Sequence, residues 1–135
     1  TFADDYAHHP AEIKVTLEAA KKMGYKHVWA VHQPFTFSRT SLLLDDFAKV
    51  LQIADRCVVS AIMGSREVNT IGIKATDLSS KIPGAVQLDT FEEICDYVCD
   101  NAEDGDLVIT LGCGDVYKVA RMMCKKLKER EEQNV

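Results

Sequence analysis

At 135 residues the chain falls within the range of one compact domain and is long enough to bury a sizeable core. Hydrophobic residues make up 47% and charged residues 27%, which excludes a disordered or collagenous chain. The net charge of −5 argues against a long-range pull on nucleic acid or anionic membrane, and no apolar run reaches the roughly 18 residues of a bilayer span. A cytoplasmic protein with no nucleic-acid or membrane partner is expected.

FADD (2–5) ends a short strand. PAEIKVTLEAAKKMG (10–24) predicts a helix: Pro10 suits a first helical position, Glu12 the first turn, Ile13, Leu17 and Ala20 share a face, and Gly24 is the stop. KHVWAVH (26–32) is a β-rich run and QPFTFSRT (33–40) a loop, after which Leu43, Phe47, Val50, Leu51 and Ala54 recur at helical spacing. RCVVSAI (56–62) is the next strand. MGSREVNTIGIKA (63–75) has no clear period and reads as a long polar loop, TDLSSKI (76–82) as a short helix and AVQL (85–88) as a strand. Thr90 with Glu93 makes a capping-box pattern for a helix that buries Phe91, Ile94, Cys95 and Val98. DLVITL (106–111) is the last strand. Beyond GCGD (112–115) a helix carries Val116, Val119, Ala120, Met123 and Leu127 on one face, and its charged tail (125–135) is expected to fray.

Strands alternating with helices predict an α/β fold, a mostly parallel sheet with helices on both faces, in a single domain. Ligands of such sheets gather where the strands end, and those ends carry DDYAHHP, HQPFTFSRT, MGSREVNT and GCGD. The chain opens on Thr1 and reaches chemistry-bearing residues at once, so a longer parent protein is expected.

Asp4 and Asp5 can hydrogen-bond a sugar hydroxyl, hold a cation, or only shape the turn. A receiver domain's paired acids are excluded, because the matching acceptor Asp and Lys would fall near Ala61 and Leu111. Adjacent His8 and His9 diverge and cannot share a metal as i, i+4 histidines do; either can cap the helix or meet an anion. Arg39 sits in an uncharged loop beside Ser38 and Thr40, where its fork suits a carboxylate or phosphate. GCGD lacks the third glycine of a dinucleotide fingerprint, Tyr117 standing in its place, but Gly112 and Gly114 let backbone approach a ligand. No metal ligand set stands out. The odd, scattered set of five cysteines reads as reduced core thiols, Cys113 included, and the basic last helix as a solvated face. No phosphate-loop motif G-x-x-x-x-G-K-[ST] appears, so any use of a nucleotide triphosphate must be shared with another domain.

DDYAHHPAEI, HQPFTFSRT, SREVNTIGI and LGCGD, in that order, resemble the C-terminal domain of Mur ligases, and the likeness covers essentially the whole chain. DDYAHHP is the most specific of the four, because family members that add later residues carry other versions of it. The resemblance implies a Rossmann-like three-layer domain. It also implies N-terminal UDP-sugar and central ATPase domains that are absent here, with ATP and Mg2+ bound mainly by the central one. The implied reaction is the ATP-dependent joining of L-alanine to UDP-N-acetylmuramate in peptidoglycan synthesis, through an acyl phosphate that this domain shields from water as it swings in. The domain alone should be inactive. Matched by position, the resemblance assigns Asp5 to the ATP ribose and Tyr6 and His8 to the alanine and acyl-phosphate pocket, His8 as the catalytic residue. Arg39, with neighbouring Thr40, goes to the alanine carboxylate, and Gly112, Gly114 and Asp115 to a wall of that pocket. Phe35 departs from a family histidine, and Thr36 stands where some members have arginine, which leaves Arg39 as the loop's one arginine. A ligase that recycles a preformed peptide and a non-catalytic nucleotide- or partner-binding module are the alternatives.

Overall fold

The computed structural model describes residues 1–133. Its five strands are β1 (Phe2–Asp5), β2 (Val28–His32), β3 (Arg56–Val59), β4 (Val86–Gln87) and β5 (Leu107–Leu111). They form one sheet in the order β1-β5-β2-β3-β4, with every neighbouring pair parallel. Six helices connect and cover them: α1 (Pro10–Lys21), α2 (Phe37–Leu42), α3 (Leu44–Leu51), α4 (Ala75–Ser79), α5 (Phe91–Asn101) and α6 (Tyr117–Gln133). The expected α/β architecture is therefore present.

Side-chain alternation divides the core between the two faces of the sheet. From β2, Val28 and Ala30 join Ile13, Leu17, Phe47, Leu51 and Leu78 of α1, α3 and α4. Trp29 and Val31 point the other way, onto Ile94, Cys95 and Val98 of α5 and Val119 and Met123 of α6. All five residues of β2 and of β5 are buried, as central strands covered on both faces should be.

The sequence expectation needs correction in three places. The predicted loop 33–40 ends early, since Thr36 caps α2 by accepting from the Arg39 N–H. The helix predicted from Leu43 to Ala54 is α3 alone: Leu43 (φ −109°, ψ 20°) separates it from α2, and Ala54 lies beyond its end. The charged tail does not fray within the described residues. Lys126 pairs with Asp96, while Arg130 pairs with Asp100 at 2.7 Å and donates to the Cys99 carbonyl at 3.2 Å, so that part of the supposed solvated face ties α6 to α5. Residues 134–135 lie outside the described residues.

Register aligns the ends of the strands. Asp5, Leu111, His32, Val59 and Gln87 form one row across the sheet. The next residues leave together, each amide still bonded to the neighbouring strand: Gly112 to Asp5 O, Gln33 to Leu111 O, Ser60 to His32 O and Leu88 to Val59 O. At about 4.8 Å per strand, β1 and β2 stand about 10 Å apart at this level, close enough for their loops to meet over β5.

Candidate functional site

On β1 the pleat sends adjacent carboxylates to different partners. Asp4 accepts from Thr110 Oγ1 at 2.6 Å, whereas Asp5 accepts from the Ala7 N–H at 2.8 Å and from Thr16 Oγ1 of α1 at 3.2 Å. The pair does not converge on one cation. Asp5 is half-buried and held by an Asx turn, and each of its oxygens keeps a lone pair for another donor, so it fits a sugar hydroxyl.

The two histidines divide their tasks. His9 is the N-cap of α1, its Nδ1 accepting from the Ala11 N–H at 3.2 Å. His8 turns away: its Nδ1 lies 3.1 Å from the Tyr6 carbonyl and 3.7 Å from Glu12, and its ring meets Tyr6 edge-on at 5.5 Å. Tyr6 is 69% exposed beside it, whereas the His8 side chain is partly buried at 28%.

Arg39 lies in the first turn of α2, with its guanidinium 5.8 Å from the Phe35 ring centre. Its Nη1 is buried and has no hydrogen-bond partner among the described residues. A buried guanidinium donor left unpaired costs on the order of 1–3 kcal/mol, so an acceptor brought to this position would be favoured. Thr40 is otherwise engaged: it is fully buried, and its hydroxyl donates to the Thr36 carbonyl at 2.7 Å, which ties down α2.

The turn after β5 is packed tightly. A Cβ at Gly114 would overlap Met63 Sδ and Gln33 Oε1, so any larger residue there would have to push both side chains aside. Gln33 is 5% exposed and joins two motifs, donating from Nε2 to Asp115 at 2.8 Å and accepting from the Val116 N–H at 3.2 Å. Asp115 is thereby held against the end of β2. Gly112 is buried beneath this turn, with the Gln33 carbonyl close to where its Cβ would be.

Three residues with a part here are not distinguished by sequence pattern: Gln33, His32 and Glu67. Gln33 would have needed knowledge that β2 and β5 are neighbours. His32, the last residue of β2, is 1% exposed and stacks on Phe47 at 5.3 Å, and neither ring nitrogen has a partner. Burial pushes its pKa down to about 4, against the weaker opposing pull of the Leu111 carbonyl, so it is neutral near pH 7. Glu67, in the loop after β3, accepts from Ser38 N and Oγ at 2.9 and 2.5 Å, and these bonds, with the charge of Arg39, hold its carboxyl below the usual value.

Among the described residues, one His/Glu/Asp group with ligand atoms within 4.8 Å of one another comprises His27, Glu103 and Asp106. It lies at the opposite end of the strands and is engaged internally: Glu103 pairs with Lys26, and Asp106 with His27 and Trp29 Nε1 at 2.9 and 3.0 Å. All five cysteines are free, and burial raises the Cys57 thiol to about 12, which leaves it protonated.

Fold and site together define an α/β domain that presents polar loops, a carboxylate, an exposed tyrosine beside a partly buried histidine, and an unpaired arginine at the carboxyl ends of its strands. Residues 1–114 match the family model for the Mur ligase, glutamate ligase domain, and the chain belongs to that family. It is 46% identical over 129 residues to a UDP-N-acetylmuramate–L-alanine ligase of Lachnospira eligens, a match that covers 93% of this chain and 28% of that protein. The chain thus spans little more than a quarter of the length of this curated relative. Among solved structures, UDP-N-acetylmuramate-alanine ligase MurC from Thermotoga maritima has a TM-score of 0.74 at 23% identity, over 96% of this chain and 27% of that one. A murein peptide ligase from Psychrobacter arcticus has a TM-score of 0.67 at 25% identity, over 92% and 26%. No helix among the described residues is long and apolar enough to cross a membrane.

Proposed function

We propose that this domain belongs to an ATP-dependent ligase that joins L-alanine to UDP-N-acetylmuramate in the cytoplasm, and that it supplies the amino-acid contacts and one contact to the ATP ribose. The observation that carries the reading is the buried, unpartnered Nη1 of Arg39, set where DDYAHH and GCGD also emerge. Naming L-alanine as acceptor follows the 46% identity to the curated alanine ligase.

In this reading Arg39 takes the alanine carboxylate, a charge-assisted contact worth roughly 1.5–3 kcal/mol. That anchors the amino acid by its inert end and leaves the amine free to reach an activated carboxyl. Phe35, beneath the guanidinium, takes the place of a second cation, so the carboxylate is held by one fork. Tyr6 and His8 form the opposite wall, where His8 can accept a proton from the incoming ammonium. Gly112, Gly114 and Asp115 close the floor, with Asp115 fixed by Gln33. Asp5 accepts from a ribose hydroxyl with the lone pairs its turn leaves free. ATP supplies the activation of the carboxyl, and its phosphates and Mg2+ belong to a central domain outside this chain. Thr40 acts on the helix rather than on substrate.

The test is UDP-N-acetylmuramate-dependent ADP release by the full-length protein with L-alanine, glycine, L-serine or a stem tripeptide as acceptor. Preference for L-alanine supports the reading. Preference for the tripeptide would move the recycling ligase ahead, and no acceptor-dependent turnover would favour a binding module.

A further inference from the structure

Thr36 (φ 62°) and Ser65 (φ 58°) are the non-glycine residues with positive φ among the described residues, and they flank a single contact. A β-branched residue in this region costs on the order of 1–2 kcal/mol and persists only where its surroundings hold it. Thr36 is held at every polar atom: its N–H donates to the Met63 carbonyl at 2.8 Å, its hydroxyl accepts from the Arg39 N–H, and its carbonyl accepts from Thr40 N and Oγ1. Met63 N–H returns a bond to the Pro34 carbonyl at 2.8 Å. Gly64 lies so close to the Phe37 ring that a Cβ there would come within 2.5 Å of it. The loop after β3 is therefore seated against the turn that launches Arg39.

Glu67 fastens that seat. Its carboxylate spans Ser38 N and Oγ at 2.9 and 2.5 Å, one residue before Arg39, although residues 65–72 are themselves exposed. Ser38 is the second residue of α2, so the fork fixes the first turn, in which Arg39 is the next residue. We infer that Glu67 is a positioning residue for the amino-acid site: by clamping Ser38 it keeps the strained turn at Thr36 closed and Arg39 aimed at the substrate carboxylate. The inference rests on the reading of Arg39 given above. Glu67 itself does not touch the substrate in this account. A role confined to stability would lower the apparent kcat through the folded fraction and leave every KM unchanged, whereas positioning shifts one Michaelis constant.

The experiment uses the full-length protein and measures kcat with the KM values for L-alanine, ATP and UDP-N-acetylmuramate. Glu67→Ala is expected to raise the L-alanine KM about tenfold, the factor of one lost charge-assisted contact, with kcat and the other two KM values within about twofold. Glu67→Gln, which can still accept one of the two hydrogen bonds, recovers part of the loss. Ser38→Ala, which removes only the hydroxyl, gives the same pattern at smaller amplitude and serves if Glu67→Ala does not fold. In an Arg39→Ala background Glu67→Ala adds nothing, because it acts through that arginine. An unchanged L-alanine KM in Glu67→Ala and Ser38→Ala, or an equal effect with and without Arg39, overturns the inference. If Arg39→Ala itself leaves the L-alanine KM unchanged, the carboxylate reading fails first; if Arg39→Ala raises it and Glu67→Ala does not, only the positioning role fails.

Discussion

The two ends of the strands are built from similar side chains and treat them differently. At the amino ends, Asp106 accepts from His27, Trp29 Nε1 and the Glu103 amide, and Asp55 accepts from Lys21 at 2.6 Å and the Val28 amide at 2.7 Å. Burial pushes both carboxyls upward, but these donors outweigh it and hold them below their ordinary values. At the carboxyl ends, Arg39 Nη1 and both nitrogens of His32 are bare, and Tyr6 stands in solvent. A cluster of acids and a histidine is thus no guide to function by itself. The informative quantity is whether each polar group already has its partner.

Predictions that sharpen this contrast run from large to small. His32 makes stability depend on pH. Its pKa is near 6.5 in the unfolded chain and about 4 when folded, so its neutral form contributes fully above 6.5. As pH falls from 6.5 to 4 the unfolded chain takes the proton first, and up to about 3 kcal/mol is lost, with nothing further below that. Urea unfolding at several pH values should show His32→Phe flattening this slope while leaving stability near neutral pH unchanged or improved. A slope unaltered by the substitution would mean that other groups dominate it.

Asp106→Ala should destabilise by about 2 kcal/mol, chiefly because buried Trp29 Nε1 loses its acceptor, yet leave the L-alanine KM unchanged. A selective KM effect in this variant would erase the distinction between the two ends. The smallest effect belongs to Lys126→Ala with Arg130→Ala, whose partners are largely exposed. Amide exchange should quicken along the last turns of α6 while activity stays constant.

Much of this architecture is legible in the sequence because its signals are local and redundant. Pro10, the Ile13–Leu17–Ala20 stripe and Gly24 all indicate α1, and α1 ends within three residues of that glycine. The convergence of the four loops follows from β/α alternation alone. What was hidden depends on which strands are neighbours. Gln33 gains its partners only because β5 lies beside β2, and Glu67 only because the loop after β3 returns to α2. Helix α2 is hidden for another reason: of its six residues, FSRTSL, only Phe37 and Leu42 are apolar, so no stripe marks it. Thr40 shows the converse, since its place beside Arg39 suggested a ligand contact and burial assigns its hydroxyl to the helix.

The most direct test is the L-alanine KM of the full-length protein with Arg39→Ala, measured by UDP-N-acetylmuramate-dependent ADP release. A rise of at least about tenfold, with the ATP KM unchanged, is the predicted result. An L-alanine KM equal to that of the wild type would contradict it, and the bare guanidinium would then answer to something other than the amino acid.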